Sequence, residues 1–266
     1  MEKGKYNILN FKLYYIIQGN SLGLIAGKVT GGNISNIKTT SDSNVNGTYY
    51  IGGLVGNADN NTKFEKCENG ATVSGTACYV GGITGIRGAI TQSCNKGNIS
   101  GVGHIGGITG NGLYTTTITY CYNLGKITGN GDDGTGYSSV GGIAGSSTRT
   151  LYCYNRGDVY GAKGQAAGMV GNNYGAGGTA INYCYNTGVI SGYGRAIGSI
   201  MGECNETAIA NCVYTSGPNA LGYRGSESNC RRITDEQMKS YTDEYFKTDT
   251  KNINDGYPIL EWQLEN

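Results

Sequence analysis

The chain has 266 residues, of which 48 are glycine and only 2 are proline. This composition excludes a collagen-like or proline-rich fold and favours a β-rich chain with many turns. Twenty basic and nineteen acidic residues give a net charge of +1, which lacks the basic excess of proteins that bind nucleic acid or anionic membranes. We therefore expect no nucleic-acid partner, and no apolar run long enough for membrane insertion is present.

Residues 1–20 form a segment whose apolar residues are interrupted by polar ones, so it lacks the continuous apolar stretch of an export signal. Ile8–Phe11 (ILNF) resembles Ile34–Ile37 (ISNI) further along the chain. We predict a partial or degenerate first coil of a repeat. Because repeat proteins normally protect their first unit with a cap, the chain is either part of a longer protein or uses this coil as its own cap.

Residues 21–217 contain a repeated signature of two small residues, an aliphatic residue, a variable residue and glycine, as in Gly52–Gly56 (GGLVG). Its copies recur about every 29 residues, which is the mark of a repeat architecture. They begin at Gly23, Gly52, Gly81, Gly106, Gly141, Ala167 and Gly198. A β-propeller is the structural alternative, although this spacing is short for a four-stranded blade.

A second signature follows each copy of the first: an apolar residue, two variable positions and usually cysteine, then an Asn-x-Gly turn and a β-branched residue. Its members are Ile34–Ile37, Phe64–Cys67, Ile90–Ser93, Ile118–Cys121, Thr150–Cys153, Ile181–Cys184 and Ile209–Cys212. Such segments predict short strands closed by turns. Since one unit cannot bury its own apolar face, we predict an all-β fold, a parallel β-solenoid (β-helix) of about seven stacked coils.

The two signatures over residues 21–217 resemble the GLUG-motif family, the glycine-rich repeats of bacterial cell-surface proteins, some of them related to IgA peptidases. The resemblance implies a non-catalytic spacer or adhesion module that is extracellular or on the cell surface as part of a longer protein. Such a module would present a solenoid face to a glycan or to a host or cell-surface protein. The family defines no active-site residue.

Residues 218–266 are richer in charge and carry no copy of the repeat. Thr234–Gln237 has the spacing of a capping box, which predicts a helix that continues to about Phe246. Asp255–Trp262 predicts a turn and a strand, and it contains the only tryptophan. We interpret this segment as a small α/β C-terminal cap with a short helix.

The cysteines of the second signature share one position with apolar or small residues, which is typical of a core column. This position is occupied by Phe11, Ile37, Cys67, Ser93, Cys121, Cys153, Cys184 and Cys212. We predict buried, reduced thiols, although stacked neighbours would also be close enough for disulfides. No Cys-x-x-Cys pair supports a zinc site, so we expect neither a metal nor another cofactor.

Tyrosines flank this cysteine column in three successive units. If each cysteine points inward, strand alternation directs both of its neighbours outward onto one face of the solenoid. These candidate binding residues are Tyr120, Tyr122, Tyr152, Tyr154, Tyr183 and Tyr185. Such a stripe could bind a glycan by ring stacking; alternatively, the rings pack on one another or hold the C-terminal segment.

The main functional alternative is a carbohydrate-active or phage-associated β-helix protein with a site on its loops. That chemistry needs clustered carboxylates or a carboxylate with a basic partner, and the acids of residues 21–217 do not align in neighbouring units. His104 has no evident serine or cysteine partner for a triad. Gly129–Gly136, with Asp132 and Asp133, matches no calcium motif and is predicted to be a solvated loop. We therefore predict no catalytic residue.

Overall fold

Short strands that pair in parallel with the equivalent strands of neighbouring coils make up most of the chain. The computed structural model describes residues 9–11, 20–113, 116–131, 138–146, 148–174, 178–205 and 207–265. The parallel pairing confirms the predicted β-solenoid and excludes the propeller, whose blades are antiparallel sheets. The predicted acidic loop at Asp132 and Asp133 lies outside the described residues.

A full coil crosses five sheets, which we number in the order in which the chain meets them. Sheet 1 contains Ala26–Val29, Val55–Ala58, Thr84–Ile86, Thr109–Asn111, Ala144–Ser146, Val170–Asn173, Met201–Cys204 and Leu221–Tyr223. Sheet 2 contains Gly32–Ser35, Thr62–Glu65, Ala89–Thr91, Thr117–Thr119, Arg149–Leu151, Gly178–Asn182, Thr207–Ala210 and Ser226–Ser228.

The other three sheets complete the coil. Sheet 3 contains Leu9–Phe11, Ile37–Thr39, Glu68–Asn69, Cys94–Asn95, Tyr122–Asn123, Tyr154–Asn155, Tyr185–Asn186, Val213–Tyr214 and Arg231–Arg232. Sheet 4 contains Asn44–Gly47, Thr72–Gly75, Ile99–Gly101, Ile127–Gly129, Val159–Gly161 and Ile190–Gly192. Sheet 5 contains Ile51–Gly52, Val80–Gly81, His104–Gly106, Ser139–Gly141, Gln165–Ala167 and Ala196–Gly198.

Six coils cross all five sheets, because sheets 4 and 5 have six strands each among the described residues. Where the structure describes it, the seventh predicted unit has strands in sheets 1, 2 and 3 only. Met201 pairs with Leu221 and Val213 pairs with Arg231, so the chain after this point returns to sheet 1 without crossing sheets 4 and 5. The predicted seven coils are therefore six full coils followed by two short coils of three strands.

The first described strand differs from its predicted alignment by two residues. The sequence match placed Phe11 in the column of Ile37, but Leu9 pairs with Ile37 and Phe11 pairs with Thr39. Phe11 therefore does not belong to the cysteine column, and that prediction is wrong. The ILNF match was too short to fix the register, since a strand pair can slip wherever few side chains specify it.

Aliphatic side chains fill the interior in two clusters. The larger contains the aliphatic residue of each first signature, such as Leu54 and Ile83, together with the cysteine column. The smaller contains residues of sheets 4 and 5, such as Val73 and Val80. All four of these side chains are fully buried, and each contributes about 1.5–3 kcal/mol by leaving water. Stacking thus provides the core that one unit lacks.

Buried asparagines form a hydrogen-bonded ladder along sheet 3. The side-chain Nδ2 of Asn69 donates to Oδ1 of Asn95 at 2.7 Å, and the same bond continues through Asn123 and Asn155 to Asn186 at 2.7, 2.8 and 2.7 Å. The sequence signal was the recurring Asn-x-Gly, which we interpreted only as a turn. The ladder gives these asparagines a second role, because it satisfies buried amides from coil to coil.

The second glycine of the first signature packs against this ladder. A Cβ on Gly82 would lie 2.6 Å from Oδ1 of Asn95, and a Cβ on Gly107 would lie 2.7 Å from Cγ of Asn123. Both distances are shorter than real Cβ atoms allow, so only glycine fits at these positions. The glycine signature and the Asn-x-Gly turn therefore pack directly against each other inside the coil.

A helix, Asp235–Lys239, follows the last short coil. Its N-cap is Thr234, and both hydrogen bonds of the predicted capping box with Gln237 are present. The helix ends at Lys239, however, so the predicted extension to Phe246 is wrong. Ser240 closes it by donating its backbone N–H to carbonyls of the last turn.

The remainder of the C-terminal segment consists of an antiparallel strand pair, Phe246–Lys247 with Ile259–Leu260, and a 3₁₀ helix, Glu261–Glu265. Its apolar side chains contact the outer surface of sheet 3. We call residues 233–265 the strap. Of the segment that the sequence assigned to a terminal cap, residues 221–232 form the last short coil of the solenoid, and the strap packs along its side.

Candidate functional site

Three tyrosines form a stacked column on the outer surface of sheet 3. The ring centroids of Tyr122 and Tyr154 are 4.9 Å apart and those of Tyr154 and Tyr185 are 4.8 Å apart, with interplanar angles of 2° in both pairs. Each precedes an asparagine of the ladder, so alternation along the strand sends the asparagine inward and the tyrosine outward, as predicted. The three rings are thus stacked nearly parallel, one from each of three successive coils.

The other three tyrosines form a second column at the bend between sheets 2 and 3. Tyr120, Tyr152 and Tyr183 have φ values of 54°, 56° and 49°, a left-handed conformation that is uncommon for residues other than glycine. Their ring centroids are 4.9 and 6.1 Å apart. The six predicted site residues are therefore brought together, but as two columns rather than one row.

The strap covers much of both columns. Tyr245 stacks on Tyr152 with a centroid distance of 4.0 Å, and Phe246 approaches Tyr185 edge-on at 5.0 Å. Tyr154 and Tyr185 are fully buried. Of the roles that the sequence left open for the tyrosines, mutual packing and docking of the C-terminal segment are the ones present in this arrangement.

Hydrogen bonds hold the strap to the buried phenols. The hydroxyl of Tyr154 and the side-chain amide of Gln263 lie within 3.0–3.2 Å, and Tyr185 donates to the carbonyl of Pro258 at 2.6 Å. Burial raises the pKa of both phenols well above the ordinary value. They consequently remain neutral hydrogen-bond donors at physiological pH.

The strap covers the tyrosine column of sheet 3 up to its first member, Tyr122, on which Trp262 of the strap packs. The indole stacks on Tyr122 at a centroid distance of 5.8 Å, and its Nε1 donates to the carbonyl of Tyr120 at 2.9 Å. Toward the first coils, the same surface of sheet 3 is open as a groove of about 390 Å³. The side chains that give it chemical character are those of Lys38, Lys66, Glu68, Lys96, Tyr122 and Trp262.

Charge in this groove is organised around Glu68, whose carboxylate lies 3.0 Å from the ammonium groups of both Lys38 and Lys96. Burial opposes the charge of Glu68, but the two lysines outweigh burial and lower the pKa of its carboxyl. Lys66 lies 3.9 Å from Glu265 of the strap. The groove therefore combines two aromatic rings with more positive than negative charge.

Cys94 lies at the floor of the groove, with its sulfur 3.8 Å from Oε2 of Glu68. Burial, followed by the nearby carboxylate, raises the pKa of this thiol to about 12. The thiol is therefore protonated at neutral pH, and a protonated thiol is a weak nucleophile and metal ligand. Its position in the groove gives no sign of catalysis.

The predicted cysteine column is present inside the solenoid. Its sulfur atoms are all free thiols, and every member except Cys230 is buried. The predicted cysteines are Cys67, Cys121, Cys153, Cys184 and Cys212, and Cys230, which was not among the predicted residues, extends the column beyond Cys212. Burial raises the pKa of Cys67 to about 11 and that of Cys153 well above its ordinary value. The column packs as a core element, in agreement with the prediction.

A second polar cluster connects sheets 1 and 5 around Glu203, whose side chain is 1% exposed. Arg195 donates to its carboxylate at 2.6 Å and Gln165 at 2.7 Å, while Tyr174 accepts hydrogen bonds from both donors. Burial opposes the charge, but these partners outweigh it and hold the pKa of Glu203 below its ordinary value. The nearest strand neighbours of Glu203 are Asn172 and Tyr223.

His104 lies in sheet 5, in register with Ser139 of the next coil. Its ring stacks on Tyr79 at a centroid distance of 5.4 Å. Among the residues that the structure describes, no group of three or more His, Cys, Asp or Glu side chains could hold a metal ion. No helix in that part of the chain is long and apolar enough to cross a membrane.

The fold defines the class of protein, a parallel β-solenoid with an external C-terminal strap. Comparison with protein-family models, with curated proteins and with solved structures finds no significant match. Function has therefore to be argued from the geometry of this chain.

Proposed function

We propose that this protein is a non-catalytic spacer or adhesion module of a bacterial cell-surface protein. The solenoid holds a binding face, and the groove beside Trp262 receives a glycan or protein partner. The setting outside the cell, as part of a longer protein, rests on the resemblance of the repeats to the GLUG-motif family. The binding role rests on the groove itself.

The interior of the solenoid supports the spacer role. Two apolar clusters and the asparagine ladder run from coil to coil, so each coil is fixed by its neighbours on both sides. Contacts between neighbouring coils are therefore enough to fix the relative positions of coils that do not touch. Side chains at equivalent positions of successive coils are thereby held at the regular spacing of strands, about 4.8 Å.

The observation that carries the binding role is the half-buried ring of Trp262, stacked on the buried Tyr122, next to Lys38 and Lys96. Aromatic rings offer a flat apolar surface on which a sugar ring can stack, while charged groups at the edge orient polar substituents. Three lysines outnumber the two glutamates that they contact, Glu68 and Glu265, which favours a partner with carboxylate or sulfate groups. An acidic glycan satisfies both requirements.

A glycan array with acidic and neutral sugars tests this proposal. We expect binding to acidic glycans, reduced at least severalfold by Trp262→Ala and by Lys96→Gln. Lys126→Gln is the matched control, because Lys126 is exposed and does not line the groove. If all three variants bound as well as the wild type, the groove would not be the binding site. If the protein bound no glycan on the array, a glycan partner would be contradicted.

The cluster around Glu203 supports a second candidate, a carbohydrate-active protein. A buried carboxylate with a basic partner, here Arg195 at 2.6 Å, is the kind of pair that such chemistry uses. Incubation with a panel of polysaccharides, followed by assay for new reducing or unsaturated ends, tests it. Products that disappear in Glu203→Gln would support this activity, whereas products that persist would place it elsewhere.

A further inference from the structure

A second cavity lies next to the groove and shares Gln92 and Trp262 with it. Its volume is about 310 Å³. Three aromatic rings and three carboxylates dominate its lining, in contrast to the lysines of the groove. They are Tyr120, Tyr245, Trp262, Glu244, Glu261 and Glu265.

Tyr120 lines this cavity, at the end of a stack of tyrosine rings. On one side its ring stacks on Tyr152 of the next coil. In the preceding coil the same column position is held by Gln92, because Thr91 pairs with Thr119 one residue earlier. Among the described residues, the tyrosine stack therefore ends at Tyr120. The face of an aromatic ring carries negative electrostatic potential, which attracts cations.

The strap supplies the rest of the cavity. Tyr245 and Trp262 are half-buried, whereas the three glutamates are exposed. Glu265 lies 3.9 Å from Lys66, but Glu244 and Glu261 form no ion pair within the part of the chain that the structure describes. Lys247 binds the backbone carbonyl of Glu244 rather than its carboxylate. The cavity thus has an excess of negative charge.

We propose that this cavity binds an organic cation, specifically a quaternary ammonium group, between Tyr120, Tyr245 and Trp262. Aromatic rings bind such groups through cation–π attraction and contact with the methyl groups. A primary ammonium is strongly hydrated and would lose water without gaining a buried acceptor. The carboxylates at the rim attract the cation from a distance and remain hydrated.

This cation site is distinct from the lysine-lined groove and goes beyond the proposed function. Charge separates the two, since Lys38 and Lys96 line only the groove, while Glu244 and Glu261 line only the cavity. Lysine variants therefore test the groove alone and glutamate variants test the cavity alone, whereas a Trp262 variant affects both. Loss of one kind of binding with retention of the other would distinguish failure of this inference from failure of the proposed function.

Calorimetry with choline and with its neutral isostere, 3,3-dimethylbutan-1-ol, provides the first test. The two have the same shape and differ in charge. We expect choline to bind about tenfold more tightly, since only the charged ligand gains cation–π attraction. Binding should weaken as salt is raised, because the rim charges are exposed. Equal affinity for the two compounds, or no binding of choline, would overturn the proposal.

The double variant Glu244→Gln with Glu261→Gln provides the second test. Both residues are exposed, so the strap should fold normally, and choline affinity should fall severalfold. Glu227→Gln is the matched control, an exposed carboxylate remote from the cavity lining. Unchanged choline binding in the double variant would contradict the site. Trp262→Leu should abolish binding, with circular dichroism checking that the solenoid is intact.

A last comparison separates the sources of the cation. Free choline, phosphocholine and a peptide with trimethyl-lysine all carry a quaternary ammonium group, and the unmodified lysine peptide does not. We expect every methylated probe to compete with choline and the lysine peptide to compete at least about tenfold less well. The tightest methylated probe identifies the source, and equal competition by the lysine peptide would contradict recognition of the quaternary group.

Discussion

Tyr185 donates its phenolic proton to the carbonyl of Pro258, 73 residues later in the chain, at 2.6 Å. Asn254 in turn donates to the Tyr185 hydroxyl at 3.0 Å, and its side-chain nitrogen also lies 2.8 Å from the Pro258 carbonyl. All three residues are buried. This small network joins the strap to the sixth coil.

Tyr185→Phe should loosen the strap without disturbing the solenoid. The change keeps the ring stacked on Tyr154 but removes a buried hydroxyl with two partners, which lowers the free energy of unfolding by about 1 kcal/mol. Urea denaturation measures the loss, and hydrogen exchange should accelerate in the strap amides. Tyr193→Phe, at a residue that is 88% exposed, is the control. Equal stability of the two variants would show that the network contributes nothing.

Asn123→Ala should destabilise the solenoid strongly. The side chain of Asn123 accepts from Asn95 and donates to Asn155, and it also bonds the backbone of Gly125. Its removal leaves several buried groups without partners, at about 1–3 kcal/mol each, so we expect a loss of at least about 3 kcal/mol in urea denaturation.

Asn130→Ala is the control for the ladder, because Asn130 is exposed and surface substitutions usually change stability by less than about 0.5 kcal/mol. If Asn123→Ala lost no more stability than Asn130→Ala, the asparagine ladder would be a consequence of stacking and not a cause of it.

The solenoid could be predicted from the sequence because the same residue types recur at regular intervals along the chain. Each coil places the same residue type at the same position, so Cys121 and Cys153 identify one column and Gly82 and Gly107 another. Stacking turns such repetition directly into a core. The register of Leu9 was missed because a single short match has no repetition behind it.

The strap and both cavities could not be predicted in the same way. The contact of Pro258 with Tyr185 depends on tertiary packing between a repeat and a segment that occurs once. Glu68 and Lys96 come from neighbouring coils and meet only because their columns are adjacent. The available signals were the tyrosine stripe, for which holding the C-terminal segment was one of the roles left open, and the single tryptophan, Trp262; neither indicated which residues would meet.

Thiol labelling should separate Cys230 from the other cysteines. Nine free thiols are present and all but Cys230 are buried. Burial raises the pKa of Cys67 to about 11 and of Cys94 to about 12, so these two thiols carry little thiolate at pH 8, and burial shields the other buried thiols from the reagent. In native protein we expect at most one thiol to react with a chromogenic disulfide reagent, and nine after unfolding in denaturant. Rapid reaction of several native thiols would contradict the buried column.

Glu68→Gln should reduce stability at neutral pH but not in acid. The lysines on either side, Lys38 and Lys96, lower the folded pKa of Glu68 below its ordinary value of 4.5. A carboxyl with a lowered folded pKa stabilises the protein fully above the unfolded value and loses this contribution as pH falls through the folded value. Because the groove is partly exposed, we expect a difference of about 0.5–1 kcal/mol at pH 7.

Urea denaturation of wild type and Glu68→Gln from pH 7 to pH 3 measures this difference. The two stability curves should run parallel above pH 5 and converge as the pH falls below 4.5, the ordinary pKa of the carboxyl. Glu227→Gln, at an exposed position in sheet 2, should show no such convergence. A gap between wild type and Glu68→Gln that persists to pH 3 would mean that the glutamate acts through its shape and packing, and that its charge contributes nothing to holding Lys38 and Lys96 in the groove.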